Sequence, residues 1–165
     1  MQRQTELQNW LRAVYPEQNF ELSFAAADAD FRRYFRATFA DGKTVICMDA
    51  PPDKMSVAPY LKVQKLFNML NVPQVLHADE AQGFMVLNDL GSTTFLTAMQ
   101  QEQGADAHKV LLLEAIDELV GLQKASRAGE LPEYDRDIML REINLFPEWF
   151  VAKELGRELN FKQRQ

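Results

Sequence analysis

Phe35-Arg36-Ala37-Thr38-Phe39-Ala40-Asp41-Gly42-Lys43-Thr44-Val45-Ile46-Cys47-Met48 is the stretch on which the fold turns. Phe35, Ala37 and Phe39 alternate with polar residues, and residues 44–48 form a short apolar run. Between them stands Asp41-Gly42, a hairpin signal because glycine accepts the positive φ that a tight strand-to-strand turn demands. The stretch therefore predicts two antiparallel strands. Upstream, Phe20, Leu22 and Phe24 alternate in the same way and predict a strand before them. Downstream, Pro51-Pro52 closes the third strand.

Working outward, Leu7, Trp10, Leu11 and Val14 recur at helical spacing from Thr5, a fitting N-cap, until Pro16. After the prolines, Val57, Tyr60, Leu61, Gln64, Phe67 and Leu70 mark one side of a helix that stops before Pro73. Val75-Leu76 and residues 84–87 predict two more strands, separated by a polar turn at 79–83, and Gly91 breaks the pattern. Beyond it the character is helical. Residues 94–101 form a short helix, and 107–126 a longer one with Val110, Leu113, Ile116, Val120 and Gln123 in register. A polar stretch at 127–134 leads into 137–145, and Pro147 suits the first residue of a helix reaching about Leu155. The expected class is α+β: a five-stranded antiparallel sheet with one inserted helix, residues 1–91, followed by helices, residues 92–165.

The 165 residues carry a net charge of −6 with no clustered Lys/Arg face, which disfavours nucleic acid as a partner. The single cysteine, Cys47, excludes an internal disulfide and a multi-Cys zinc site, and its apolar surroundings predict a buried, inert thiol. No signal peptide and no apolar run near the roughly 20 residues of a membrane span are apparent, so the expected setting is the cytoplasm. There is no Walker A pattern, G-x-S-x-G elbow or H-E-x-x-H motif, and the scattered carboxylates read as solvated helix faces.

Four local sequences then matter together: Ala27-Asp28-Ala29-Asp30-Phe31-Arg32-Arg33-Tyr34-Phe35-Arg36, Met48-Asp49-Ala50-Pro51-Pro52, Val86-Leu87-Asn88-Asp89-Leu90-Gly91, and Leu131-Pro132-Glu133-Tyr134-Asp135 with Leu145-Phe146-Pro147-Glu148-Trp149-Phe150. They resemble the aminoglycoside-phosphotransferase (choline kinase-like) superfamily, and within it the bacterial anomeric sugar kinases that phosphorylate N-acetylmuramate and N-acetylglucosamine at C1 in peptidoglycan recycling. The resemblance spans residues 20–156. It implies a protein-kinase-like N-lobe followed by the first helices of a helical C-lobe, with ATP and Mg2+ serving the complete enzyme and an amino sugar as acceptor.

In such kinases the loop between the first two strands lies over the nucleotide phosphates. That loop is residues 27–32 here, with Asp28 and Asp30 beside Arg32 and Arg33, and it contains no glycine. The family's third-strand lysine is missing: the strand reads Thr44-Val45-Ile46-Cys47-Met48-Asp49, with Lys43 ahead of it. Arg32 or Arg33 could supply the cation, Arg33 being the nominee, and Met48 is a further candidate nucleotide contact. The alternative is a polar hairpin whose arginines face solvent. Residues 84–91 match the hinge, placing an adenine beside Leu87, Asn88, Asp89 and Leu90. Asn88 stands where the family more often has Glu, and a plain core strand ending at a polar turn accounts for the same residues.

The family's catalytic loop, His-x-Asp-x4-Asn, and its later metal-binding aspartate are not found. His77-Ala78-Asp79 is followed at the fifth position by Phe84, and His108 by Lys109 and Val110; His77 reads as a surface or turn residue. Residues 1–165 are thus expected to hold no catalytic and no metal-ligating residue, and to be inactive alone as the N-terminal part of a truncated kinase. Glu148 and Trp149 are candidate sugar contacts, although a core or interface role also suits them. Leu145, Phe146, Trp149, Phe150 and Leu155 form an apolar set that favours association if left bare. Two further readings stand beside the sugar kinase: a non-catalytic nucleotide-binding or interaction module that dimerises through these helices, and a plain α+β domain.

Overall fold

The computed structural model describes residues 2–27, 30–101 and 104–163. The hairpin forms as expected between β2 (Arg33–Phe39) and β3 (Thr44–Asp49), in antiparallel register with Thr38 opposite Thr44 and Arg36 opposite Ile46. Its connection is a three-residue loop, 40–42: Phe39 N donates to Lys43 O (2.9 Å) and Gly42 N to Phe39 O (2.9 Å). Gly42 takes the left-handed position that such a loop needs, at φ 83°.

β1 (Phe20–Ala27) joins the outer side of β2, while β4 (Val75–Asp79) and β5 (Phe84–Asn88) follow the helix α2 (Ala58–Leu66). The order is β1-β2-β3-β5-β4, with every neighbouring pair antiparallel. This is the five-stranded antiparallel sheet with one inserted helix that the sequence predicts. His77 lies on strand β4, exposed, with its ring edge-on to Tyr15.

Strand side chains alternate between faces, so the sheet has two distinct sides. Phe35, Ala37, Phe39, Val45, Cys47, Phe84 and Val86 meet Leu7 and Leu11 of α1 (Gln2–Val14), with Trp10, Tyr15, Phe20 and Leu22 around them. Each large apolar side chain buried there contributes about 1.5–3 kcal/mol. Cys47 sits within this layer, and burial pushes its thiol pKa up to about 12, which keeps it protonated. On the other face Met48, Met85 and Leu87 pack with Ala50 and Val57 beneath α2, flanked by half-buried Tyr34, Ile46, Tyr60 and Leu61.

Three elements differ from the sequence expectation. α1 begins at Gln2, before Thr5, because Arg3 in its first turn is held by tertiary contacts: Nη2 donates to Gln82 O (2.8 Å) and the guanidinium lies 4.3 Å from the Phe84 ring centre. α2 ends at Leu66 rather than reaching Leu70. The Gln74 side chain takes the carbonyls of Val72 (3.0 Å) and Asn68 (3.4 Å), and tight turns replace the helix, Leu70 N donating to Phe67 O. Residues Phe146–Glu154 form a π-helical segment directly after α5 (Arg136–Leu145). Pro147 has no N–H to give and cannot extend the α-helical ladder of α5, and the wider spacing is seen where Leu155 N donates to Phe150 O (3.0 Å).

One backbone crossing fixes the end of the sheet. Ala50 N donates to Gly83 O (2.9 Å), and Gly83, at φ 70°, has no room for a side chain, since a Cβ would lie 1.9 Å from the Ala50 carbonyl oxygen.

The chain divides into two units, Met1–Ser126 and Arg127–Gln165. The first contains the sheet, α3 (Phe95–Gln101) and α4 (Ala105–Ala125), so Gly91 lies inside it. In the second, Asp135 caps α5 by accepting from Ile138 N (2.9 Å), and Phe146 stacks on Phe150. Among the described residues no helix is long and apolar enough to cross a membrane.

Candidate functional site

Met48, Leu87 and Arg32, three of the residues singled out in the sequence, lie on the α2 side of the sheet. β5 delivers Leu87 opposite Ile46 of β3, both on that face, giving an apolar floor in which Leu87 is buried and Ile46 half-buried. Asn88 is used as a brace: its N–H donates to Gln74 O (3.0 Å) while its Oδ1 accepts from Gln74 N (2.6 Å). Gln74 is itself fixed by Gln64 Nε2 (2.9 Å).

Asp89 is clamped by Arg36 of β2, whose Nε donates to Oδ2 (2.5 Å) and Nη2 to Oδ1 (3.1 Å). Arg36 Nη2 also donates to Gly91 O (3.2 Å), and Gly91 N donates to Asp89 Oδ1 (2.9 Å). The Arg36 guanidinium holds the Asp89 carboxyl down to about 2. Such a two-pronged arginine fork fixes orientation as well as charge, so the segment leaving β5 is pinned to the sheet. Leu90 next to it is exposed, and its main chain makes no hydrogen bond to another described residue. A pinned strand end with an apolar floor and an uncommitted peptide suits a flat heterocycle that stacks and hydrogen-bonds to main-chain groups.

Arg33, which opens β2, and Arg32 just before it are placed differently. Arg33 Nη2 donates to Asp49 Oδ2, and Arg3 donates to Asp49 Oδ1 from Nε (3.1 Å) and Nη2 (2.5 Å). Asp49 is fully buried at 0% exposure and ends the α1 side of the sheet, so two cations close that face. Arg32 instead folds onto exposed Asp30: Nε and Nη2 reach Oδ2 at 2.9 and 2.8 Å, and Asp30 Oδ1 accepts from Arg32 N (2.8 Å). The main-chain N–H first, then the guanidinium, lowers the Asp30 pKa.

Arg32 also lines a hollow of about 520 Å3 with Met48, Met55, Val57, Tyr60 and Val63. Met48, on the same face as Leu87, forms its floor and is fully buried. Burial raises the Tyr60 pKa, and the nearby Arg32 charge works in the opposite direction. Lys43 stands at the other end of β3, exposed and paired with Asp41 (2.7 Å). Asp28 falls outside the described residues. Among the described residues no group of three or more His, Cys, Asp or Glu could hold a metal ion.

Met48, Leu87, Asn88, Asp89, Leu90, Asp30, Arg32 and Arg33 thus belong to the first unit, whereas Glu148 and Trp149 stand exposed on the π-helical segment of the second. Sequence reasoning missed Arg3, Arg36, Asp49 and Gln74 as the residues that hold the site in place. Arg36 and Asp89 are 53 residues apart, and no local pattern announces their pairing. The Met-Asp-Ala-Pro-Pro segment drew attention to Asp49 without revealing what it binds.

Comparison with known proteins bears on the whole chain. The model of the family described as "Phosphotransferase enzyme family" matches residues 21–164. The chain is 81% identical over all of its 165 residues to the N-acetylmuramate/N-acetylglucosamine kinase of Neisseria meningitidis serogroup B, of which it covers 49%. It is 40% identical over 141 residues to the like-named kinase of Pseudomonas aeruginosa, a match covering 84% of this chain and 40% of the relative. For that of Pseudomonas putida the figures are 39% over 137 residues, 82% of this chain and 39% of the relative. The chain spans about half the length of the curated relatives it matches, or somewhat less. With the match reaching from residue 21 to residue 164, the chain belongs to the phosphotransferase enzyme family.

Proposed function

We propose that this chain is the nucleotide-binding, N-terminal portion of an ATP-dependent cytoplasmic phosphotransferase that transfers the terminal phosphoryl group of ATP to the C1 hydroxyl of an amino sugar in peptidoglycan recycling. The observation that carries the reading is the 81% identity, without a gap in coverage of this chain, to a relative named N-acetylmuramate/N-acetylglucosamine kinase. Residues 1–91 act as the N-lobe and 92–165 as the start of the helical C-lobe. The adenine lies beside Leu87, Asn88, Asp89 and Leu90, reading main-chain groups against the apolar floor. The phosphates extend past Met48 toward the strand-connecting loop of Asp28 and Asp30, where Arg32 or Arg33 meets their charge. Glu148 and Trp149 face the sugar.

The geometry supports this because the hinge residues are held from behind. Asn88 and Asp89 spend their side chains on Gln74 and Arg36, leaving the peptide at Leu90 for a ligand. Mg2+ would screen the phosphates in such a reaction, and among the described residues no set of His, Cys, Asp or Glu fits it. Without a His-x-Asp-x4-Asn segment among the 165 residues, the chain alone transfers no phosphoryl group. The test is to assay ATP-dependent phosphorylation of N-acetylglucosamine and N-acetylmuramate with this chain alone and with this chain joined to the remaining half of the Neisseria relative. Sugar phosphate from the joined protein and none from the chain alone is expected; no product from either overturns the reading.

A second reading, a non-catalytic nucleotide-binding module that pairs with its own copy, is favoured by the exposure of Val110, Leu113, Ile116 and Leu119 on α4 and of Phe146 and Trp149 in the second unit. Sedimentation of the purified chain decides it, a concentration-independent monomer counting against it.

A further inference from the structure

We propose that Arg32, and not Arg33, is the cation that replaces the missing third-strand lysine and meets the phosphates of a bound nucleotide, with Asp30 holding it in reserve until the nucleotide arrives. The proposal rests on the nucleotide-site reading above and makes it specific.

Strand geometry comes first. Side chains alternate between the two faces of a sheet, so Arg33, the first residue of β2, stands on the opposite side from Tyr34, and Arg32, just before the strand, is placed by the hollow it lines. Arg33 shares its side with Phe35 and reaches Asp49 on the α1 face, whereas Arg32 turns toward the α2 face and lines the hollow with Met48 and Tyr60. Met48 occupies the β3 position facing α2, and its buried thioether brings no charge. Among the hollow's lining residues, Arg32 alone is cationic.

The pairing of each arginine decides the rest. Asp49 is fully buried, and drawing Arg33 away would remove one of the two guanidinium partners that compensate its charge. Asp30 is exposed, so water takes over its hydration when Arg32 leaves, and an exposed ion pair contributes little to stability. A phosphate carries more negative charge than one carboxylate and accepts the same two-pronged arginine contact. Exchange of Asp30 for phosphate is therefore open to Arg32, while the corresponding exchange at Arg33 is opposed by Asp49.

The test is calorimetry on the 165-residue chain with Mg-ATP and with adenosine, which carries the base without phosphates. Arg32→Gln is expected to weaken Mg-ATP at least about tenfold, the scale of one charge-assisted contact, while changing adenosine affinity little. Asp30→Asn, which takes the Asp30 carboxylate away from Arg32, is expected to bind Mg-ATP at least as tightly as the parent chain. Because a misfolded variant cannot gain affinity, it guards the result against simple unfolding. Arg33→Gln is expected to lower the melting temperature more than Arg32→Gln and to affect Mg-ATP less. If Arg32→Gln binds Mg-ATP like the parent, if Asp30→Asn weakens it, or if Arg33→Gln costs more affinity than Arg32→Gln, the assignment falls while the nucleotide site stands. If the parent chain binds neither ligand, the nucleotide-site reading falls and the assignment with it.

Discussion

The two faces of the sheet are built from alternate residues of the same strands, yet they end up in different states. On the α1 side, Leu7, Leu11, Phe84 and Val86 are sealed, and the Arg3–Asp49–Arg33 cluster closes the end of the layer. On the α2 side Met48 and Met85 are equally buried, but the layer opens into a hollow rimmed by Tyr60, Val63 and Arg32. The contrast teaches where each job is done: one face supplies the rigidity, and the other keeps apolar floor and charge available to a ligand.

The largest effect should come from stripping the closed end of the α1 face. Removing both cations with Arg3→Ala and Arg33→Ala strands the Asp49 carboxylate in a fully buried position, with an expected loss of about 3–5 kcal/mol by denaturant unfolding. Either single variant leaves one guanidinium on Asp49 and should cost clearly less, so a double variant no worse than a single one would show that the cluster does not act as a unit.

Next comes a direct comparison of the faces. Leu11→Ala empties a site in the sealed layer and is expected to cost about 2–5 kcal/mol, whereas Val63→Ala, on the partly exposed rim of the hollow, should cost less than about 1 kcal/mol. Similar losses for the two would erase the proposed division between faces.

A smaller effect tests the hinge. Asp89 is held at a pKa of about 2 against an ordinary 3.8. A carboxyl whose folded pKa is depressed contributes stability that is present above the unfolded value and lost as pH falls through the folded one. The contribution of Asp89 should therefore fade between about pH 4 and pH 2. Arg36→Ala is expected to cost about 1–2 kcal/mol and to bring the Asp89 titration, followed by carboxyl carbon NMR, back toward 3.8. A midpoint unchanged in the variant would mean that Arg36 is not the cause.

What could be read in the sequence follows the same physical division. Period-two alternation in Phe35-Arg36-Ala37-Thr38-Phe39 and the Asp41-Gly42 turn are local, and they specify the hairpin and hence the sheet. The α2 side residues Met48 and Leu87 were legible as well, because they lie in short segments of family character. The supports were not: Arg36 with Asp89, Arg3 with Asp49 and Asn88 with Gln74 join residues far apart in the chain, and each pairing exists only once the strands have taken their register. The end of α2 and the π-helical segment after α5 escaped for a related reason, since the Gln74 side chain and the missing Pro147 N–H override an apolar spacing that by itself suits an α-helix.

The central claim is that the open α2 face, and not the sealed one, receives a nucleotide. Its most direct test is a titration of the 15N-labelled chain with Mg-ATP, following backbone amide shifts. Saturable changes are expected at Arg32, Ile46, Met48 and 87–91, with Leu7, Leu11 and Phe39 unmoved; saturable changes centred on the α1 face, or no saturable change at all, would contradict the account.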